Sequence, residues 1–252
     1  LRLTHRCLPT TAWWLRQLGD VVPHHMITAD ADEIVSLVPE LAPHRDTLAG
    51  RSMLGLRGQV FPVECVIRGY LSGSALKEYR ASGTLAGERL AEGLIEADRF
   101  DPPVFSPATK AETGHDENIS EAQAAKVVGT ELLAHLKRLT LELYAFGVAH
   151  AASRGIILAD TKFEFGLTDE GELLLIDEMM TPDSSRYWPK DTYAPGGPQL
   201  SFDKQYVRDW LDASGWNHEP PAPALPDEVA QRTADKYREA FRRITGEDLK
   251  GI

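Results

Sequence analysis

Two stretches in the second half of the chain have the hydrophobic pattern of a β-hairpin. Residues 156 to 167 are rich in Ile, Leu and Phe, and the turn sequence TDEG separates them from a second apolar run at residues 173 to 176. Side chains alternate between the two faces of a strand. Asp160, Lys162 and Glu164 are therefore predicted to share one face.

The length of the connecting loop decides whether Asp177 joins this face. With a loop of two or four residues, Leu167 pairs with Glu172 and Asp177 lies opposite Lys162. A loop of three or five residues breaks this pairing.

Three carboxylates and a lysine on one face admit two interpretations, of which the simpler is a solvated surface with salt bridges. However, Leu158 and residues 173 to 176 make both strands nearly continuously apolar, which is typical of a sheet covered on both faces. Charges in such a sheet need a partner or an ion, and carboxylates suit Mg²⁺, which also takes phosphate oxygens. The loop at residues 181 to 186 adds hydroxyls and a guanidinium for an anion. The pattern therefore favours phosphoryl chemistry.

A further strand is predicted at residues 59 to 70, with Glu64 and Arg68 on one face. The small-residue turn at residues 71 to 74 offers amides and hydroxyls to a phosphate, although hairpin turns share this composition. A long irregular stretch at residues 101 to 118 carries Lys110 and the pair His115-Asp116 as candidates for chemistry. Helical periodicity or capping signals predict helices at residues 10–18, 75–81, 120–129, 130–154, 202–211 and 227–244.

Composition narrows the class of protein. The 252 residues suffice for one large domain or two lobes, and the formal charge of -11 without a basic run argues against binding a nucleic acid polymer. Cys7 and Cys65 lack metal-ligand spacing, so no disulfide framework or zinc site is expected and a reducing cytoplasm is predicted. We expect neither a membrane span nor a signal peptide.

Four segments, FPVECVIRGYLSGS, PATKAETGHDENIS, GIILADTKFEFG and LIDEMMTPDSSRYWP, together resemble the signatures of the phosphoribosylaminoimidazole-succinocarboxamide synthase (SAICAR synthetase) family. The resemblance implies a two-lobed α+β fold related to ATP-grasp and kinase-like ATP-binding proteins. It implies a small ATP-binding lobe ending near residue 70 and a larger lobe over residues 71–252 that includes a C-terminal helix. The implied reaction joins L-aspartate to the carboxylate of carboxyaminoimidazole ribonucleotide, with ATP giving ADP and phosphate.

The same resemblance implies roles for individual residues. Glu164 and Asp177 would hold Mg²⁺ with the ATP phosphates, and Val60 and Phe61 would line the adenine pocket. Lys110 would lie near the nucleotide and, with Lys162 and Asp183, take part in catalysis. The implied substrate ligands are Glu64, Arg68, Ser74, Asp160, Lys162, Asp183, Ser184 and Arg186.

Members of this family usually begin with a glycine-rich strand pair that covers the ATP phosphates, and no such loop precedes Arg51 here. The small lobe is therefore expected to be truncated, either in a fragment of a longer protein or in a shortened homologue with impaired ATP binding. Two other functions stay open at this point: a small-molecule kinase with the same lobes, and an inactive ribonucleotide-binding protein. A homo-oligomer is also possible.

Overall fold

The computed structural model describes residues 8–19, 21–109, 117–202, 205–217, 219 and 221–249. Its α-helices are α1 Leu8–Leu18, α2 Ala31–Leu37, α3 Arg45–Leu48, α4 Gly73–Ser82, α5 Glu121–Val128, α6 Thr130–Ser153, α7 Gln205–Ala213 and α8 Asp227–Thr245, with a 3₁₀ helix at Pro39–His44. Its strands are β1 Met26–Thr28, β2 Leu54–Gly55, β3 Gln59–Val60, β4 Val63–Tyr70, β5 Thr84–Leu85, β6 Glu88–Arg89, β7 Arg99–Phe105, β8 Ala108–Thr109, β9 Ile156–Leu167, β10 Leu173–Ile176 and β11 Ser185–Pro189.

The main sheet is built around β9. Strands β4 and β3 run along one edge of β9, and β10 and β11 pair with its other edge, all antiparallel. Strand β7 pairs with the far edge of β4. Because β9 is paired on both edges, its side chains point into the layers that cover the two faces of the sheet.

The hairpin forms with an odd-numbered loop. Leu173 pairs with Leu167, and the Thr168 N–H donates to the Glu172 carbonyl at 2.9 Å, so that three residues lie inside the closing pair. Gly171 supplies the positive φ, +85°, that such a loop needs. The alternative in which Asp177 lies opposite Lys162 is therefore wrong, and Ile176 lies opposite Glu164 instead.

Helices α1 and α6 cover one face of the sheet, the face to which Phe163 of β9 points. Leu136 and Leu143 of α6 and Trp14 of α1 share one buried cluster with Phe163 of β9. The Tyr144 hydroxyl donates to the Leu158 carbonyl at 2.8 Å. A tightly packed helix layer thus fixes one side of β9.

Other predicted elements are found with shifted ends. The predicted strand at residues 59 to 70 divides into β3 and β4 around Pro62, which has no N–H for a ladder. Ser120 and Gln123 form the predicted capping box, and the helix predicted from residue 202 begins at Gln205. In the described residues, no helix has the length and apolar character needed to cross a membrane.

Candidate active site

Five charged residues lie together on the face of β4 and β9 opposite α6. The register pairs Cys65 with Phe163 and Arg68 with Asp160, so the side chains of the two strands match face to face. The alternation predicted for each strand is confirmed, and the two sets meet on one surface. We call this surface the polar face; it consists of Glu64, Arg68, Asp160, Lys162 and Glu164.

Lys162 is paired with Glu64 at the centre of the polar face. Its ammonium donates to Glu64 Oε1 at 2.7 Å, and Glu64 is buried. Burial lowers the pKa of Lys162, but the hydrogen bond and charge of Glu64, with Glu164 and Glu178 nearby, outweigh it, so the pKa is raised. Lys162 is thus a fixed positive charge within an acidic surrounding.

Two arginines converge on Asp160 at one end of the polar face. Arg186 Nη1 lies 2.6 Å from Asp160 Oδ2, and Arg68 Nη1 lies 3.7 Å from the same oxygen. Burial lowers the pKa of Arg68 and the charge of Asp160 raises it, yet a guanidinium stays protonated in proteins. The charge of Glu78 also acts on Arg68, so two arginines and two carboxylates lie at this end.

The helix α4 begins beside these arginines. Its N-cap residue, Ser72, makes no side-chain cap hydrogen bond, so the side chain leaves the first-turn amides uncapped. Gly73 has a φ of +56°, which favours glycine, and a Cβ there would lie 2.2 Å from Arg186 Nη2. Ser74 accepts a hydrogen bond from Arg68 at 3.1 Å. The turn predicted at residues 71 to 74 is therefore the start of a helix directed at an arginine pair.

The loop after β10 brings further acids to the site. Asp177, with φ +62°, leaves the strand in the left-handed region, and Glu178 accepts a hydrogen bond from Thr181. Burial raises the pKa of Glu178, and the charges of Asp183 and Asp177 add to this effect, whereas Thr181 and Lys162 oppose it. Both aspartates are half-buried.

Glu164 and Asp177 are the two carboxylates that could hold a magnesium ion. The Glu164 side chain is buried on the polar face, and Asp177 directly follows Ile176, the residue paired with Glu164. Within the described parts of the chain, no group of three or more His, Cys, Asp and Glu residues is arranged around a metal position. Mg²⁺ needs only one or two carboxylates when phosphate and water complete its shell.

Segment 59–61 runs past the Glu164 end of β9. Val60 pairs with Gly166, and the Phe61 N–H donates to the Phe165 carbonyl at 3.0 Å. Val60 is exposed and Phe61 half-buried, and their contact with adenine stays a prediction.

Some predicted candidates lie outside the described residues, and some residues found at the site were not predicted. Lys110, His115 and Asp116 lie outside the described residues. The residues missed from the sequence are Glu178, Ser106, Asn118 and Tyr237, whereas Ser72 and Thr181 belong to the turn and the loop predicted to offer hydroxyls to an anion. Glu178 follows a predicted metal ligand directly and could have been found by that adjacency. Ser106 and Asn118 accept hydrogen bonds from Arg68 at 2.8 and 3.2 Å. They come from the stretch at residues 101 to 118, which was predicted to be irregular but contains most of β7 and all of β8.

A fold and site of this kind define an enzyme that acts on phosphorylated substrates. A family model described as SAICAR synthetase matches residues 7–223, and the chain belongs to this family of ATP-dependent ligases. The α+β fold predicted from the resemblance is confirmed.

Individual relatives agree with this assignment. The phosphoribosylaminoimidazole-succinocarboxamide synthase of Pelobacter propionicus is 52% identical over 240 residues, which cover 95% of this chain and 80% of the relative. The SAICAR synthase of Saccharomyces cerevisiae, solved in complex with SAICAR, superposes with a TM-score of 0.85 at 37% identity and covers 96% of this chain and 81% of its own. A type-2 SAICAR synthetase in complex with ADP shares the fold, with a TM-score of 0.65. It is 23% identical to this chain, and the match covers 95% of this chain and 79% of the type-2 enzyme.

Proposed function

We propose that this chain joins L-aspartate to the carboxylate of carboxyaminoimidazole ribonucleotide, with ATP as the second substrate, to give SAICAR, ADP and phosphate. The observation that carries the proposal is the polar face. It places Arg68, beside Arg186 of β11, for a sugar phosphate, and a lysine with acidic residues for a magnesium nucleotide. Membership of the SAICAR synthetase family supports it.

The chemistry requires an activated carboxylate, because a carboxylate does not react with an amine at neutral pH. One carboxylate oxygen of the ribonucleotide attacks the γ-phosphorus of ATP, the bond to the ADP oxygen breaks, and an acyl phosphate forms. The aspartate amine, having lost a proton, then attacks the acyl carbon, and the carbon–oxygen bond to phosphate breaks. No covalent bond to the protein is needed in either step.

Arg68 and Arg186 hold the ribonucleotide phosphate in this proposal. They face Asp160, with the charge of Glu78 also acting on Arg68, and the uncapped start of α4 adds N–H donors. The hydroxyl of Ser74, which is exposed, lies beside Arg68 and can reach the same anion. Asp183 and Ser184 complete the pocket as further substrate ligands.

Lys162 supports the phosphoryl transfer. Its ammonium is held by Glu64, and a fixed cation lowers the free energy of a transition state in which negative charge spreads over the transferred oxygens. Glu164 and Asp177 would hold Mg²⁺, which neutralises phosphate charge when bound. Val60 and Phe61 would contact adenine, and Lys110 stays a predicted catalytic residue.

Omission assays test this function. Purified protein with Mg-ATP, aspartate and the carboxylated ribonucleotide should form SAICAR and ADP in equal amounts. Omission of aspartate or ribonucleotide should stop sustained ADP release, and EDTA should abolish turnover.

Two results would contradict the proposal. Sustained ADP formation without aspartate would indicate a kinase. Calorimetric binding of the ribonucleotide without measurable binding of Mg-ATP would indicate an inactive binding protein.

A further inference from the structure

The C-terminal helix α8 places a tyrosine against the loop that carries Asp183. The Tyr237 hydroxyl donates a hydrogen bond to Asp183 Oδ1, across 54 residues of sequence. Both side chains are half-buried. Helix α8 begins at Asp227 and so lies beyond residue 223, where the family match ends. The contact therefore links the site to a segment outside the matched region.

We propose that Tyr237 is a positioning residue that holds the Asp183 carboxylate in the orientation that binds the ribonucleotide. In that orientation, Asp183 would accept hydrogen bonds from the ribonucleotide. The inference rests on the proposed function, because it takes Asp183 as a ribonucleotide ligand.

The loop's own hydrogen bonds fix its backbone. The N–H groups of Asp183 and Ser184 donate to Thr181 Oγ1 at 3.1 and 3.3 Å, and the Ser184 hydroxyl accepts from the Thr181 N–H at 3.1 Å. These bonds do not determine the direction of the Asp183 side chain, which rotates about its own χ angles. Tyr237, approaching from outside the loop, supplies a constraint on that direction.

Helix α8 is a firm support for such a constraint. Lys236 donates to the Ser201 carbonyl at 3.0 Å, and the Arg243 guanidinium lies 4.9 Å from the centre of the Phe202 ring. The Phe202 N–H in turn donates to the carbonyl of Tyr187, in the strand that carries Arg186. The helix is thus connected to β11, the strand that follows the loop. A site residue that is held by a packed element keeps its geometry.

The charges in the loop also favour a neutral hydroxyl as the hydrogen-bond donor to Asp183. Asp183 lies close enough to Glu178 for its charge to raise the pKa of that residue. A tyrosine hydroxyl offers a hydrogen bond to the Asp183 carboxylate without adding a charge to the substrate pocket. Hydrogen bonds to ionised groups are strong enough that loss of one changes binding about tenfold or more.

The substitution Tyr237→Phe tests the proposal, because it removes the hydroxyl and keeps the ring. We expect the KM for the ribonucleotide to rise about tenfold, with the KM for Mg-ATP unchanged. Tyr193→Phe is the matched control, since it removes a hydroxyl that donates to the Ala97 carbonyl at 2.8 Å away from the loop. It should leave both KM values unchanged. Equal rises in both KM values for Tyr237→Phe, with a lower Tm, would show a merely structural role and overturn the proposal.

A double-mutant cycle then shows whether Tyr237 acts through Asp183. Ribonucleotide binding is measured by calorimetry for Tyr237→Phe, Asp183→Ala and the double variant. If Tyr237 acts through Asp183, the second substitution adds nothing to Asp183→Ala; fully multiplicative effects would overturn the proposal. If the wild-type chain forms SAICAR and Tyr237→Phe has an unchanged KM for the ribonucleotide, this inference alone is overturned. A wild-type chain that neither forms SAICAR nor binds the ribonucleotide overturns the proposed function as well.

Discussion

Strands β4 and β9 carry two faces that are both largely buried and chemically opposite. On the polar face, the relative exposures are 4% for Glu64, Arg68 and Asp160 and 5% for Glu164, and Lys162 is half-buried. On the other face, which we call the apolar face, they are 0% for Cys65, Ile67 and Phe163 and 1% for Phe165. Burial alone therefore does not distinguish the candidate site from the core.

The two faces differ in what compensates for the loss of water. Packed hydrocarbon stabilises the apolar face through the transfer of surface out of water. On the polar face, ion pairs such as Lys162 with Glu64 offset the cost of desolvating charges. Buried ion pairs of this kind are often replaceable by apolar residues without loss of stability. The polar face is thus better explained by chemistry than by folding.

Glu164→Ala should give the largest effect and separate the faces most clearly. Loss of a magnesium ligand removes several kcal/mol of transition-state stabilisation, so we expect kcat/KM to fall about 10⁴-fold. The circular dichroism spectrum should stay that of the wild type, and Tm should fall by no more than a few degrees. Retained turnover would remove Glu164 from the metal site.

Phe163→Ala changes the neighbouring position on the apolar face. The cavity left by this fully buried ring should lower the free energy of unfolding by about 3–5 kcal/mol, measured by urea denaturation. The kcat of the folded fraction at low temperature should stay near the wild-type value. A large loss of kcat without loss of stability would show that the two faces are not functionally separate.

Arg68→Ala tests the anion end of the polar face. We expect the KM for the ribonucleotide to rise about 10- to 100-fold, with little change in the KM for ATP, because one guanidinium of the pair is lost. Arg45→Ala is the control. Arg45 pairs with Asp32 at 2.7 Å on the surface, where solvent screening leaves an ion pair with little effect. An unchanged ribonucleotide KM in Arg68→Ala would exclude Arg68 from the phosphate site.

Cys65 gives the smallest effect, a pH dependence that belongs to the apolar face. Burial raises the pKa of its thiol from 9.0 to about 12. The unfolded thiol ionises first, so this contribution to stability is complete below pH 9 and is lost as pH rises from there to about 12. The expected slope is at most about 1.4 kcal/mol per pH unit. We therefore compare the unfolding free energies of the wild type and Cys65→Ala from pH 8 to 10. The stability difference between the two should change with pH above pH 9, and parallel curves would contradict this prediction.

Side-chain alternation made much of the polar face predictable. Once residues 156–167 and 63–70 are strands, a period of two fixes which residues share a face, whatever the register of the partner strand. That argument placed Lys162 with Asp160 and Glu164, and Glu64 with Arg68. The register that joins the two sets depends on packing between segments about 100 residues apart, and hydrophobic pattern alone does not supply it. The division into lobes at residue 70 stays a prediction.

Two parts of the site illustrate what sequence patterns leave undecided. The position of Asp177 depended on a hairpin loop whose closing pair, Thr168 with Glu172, leaves an odd number of residues inside it. Tyr237 lies on an amphipathic helix, where a tyrosine on the inner face is ordinarily counted as part of the core. Only the tertiary packing of α8 shows that its hydroxyl meets a site carboxylate.

The double pairing of β9 has a consequence for the order of folding. Two of its partner strands, β4 and β11, lie at residues 63–70 and 185–189. The pairing of β9 is therefore complete only after contacts of very different sequence separation have formed. Contacts of high separation form slowly because the intervening chain must first give up its entropy. During synthesis, Asp160 therefore cannot pair with Arg186 until the ribosome has passed residue 189, so the arginine end of the site is completed late.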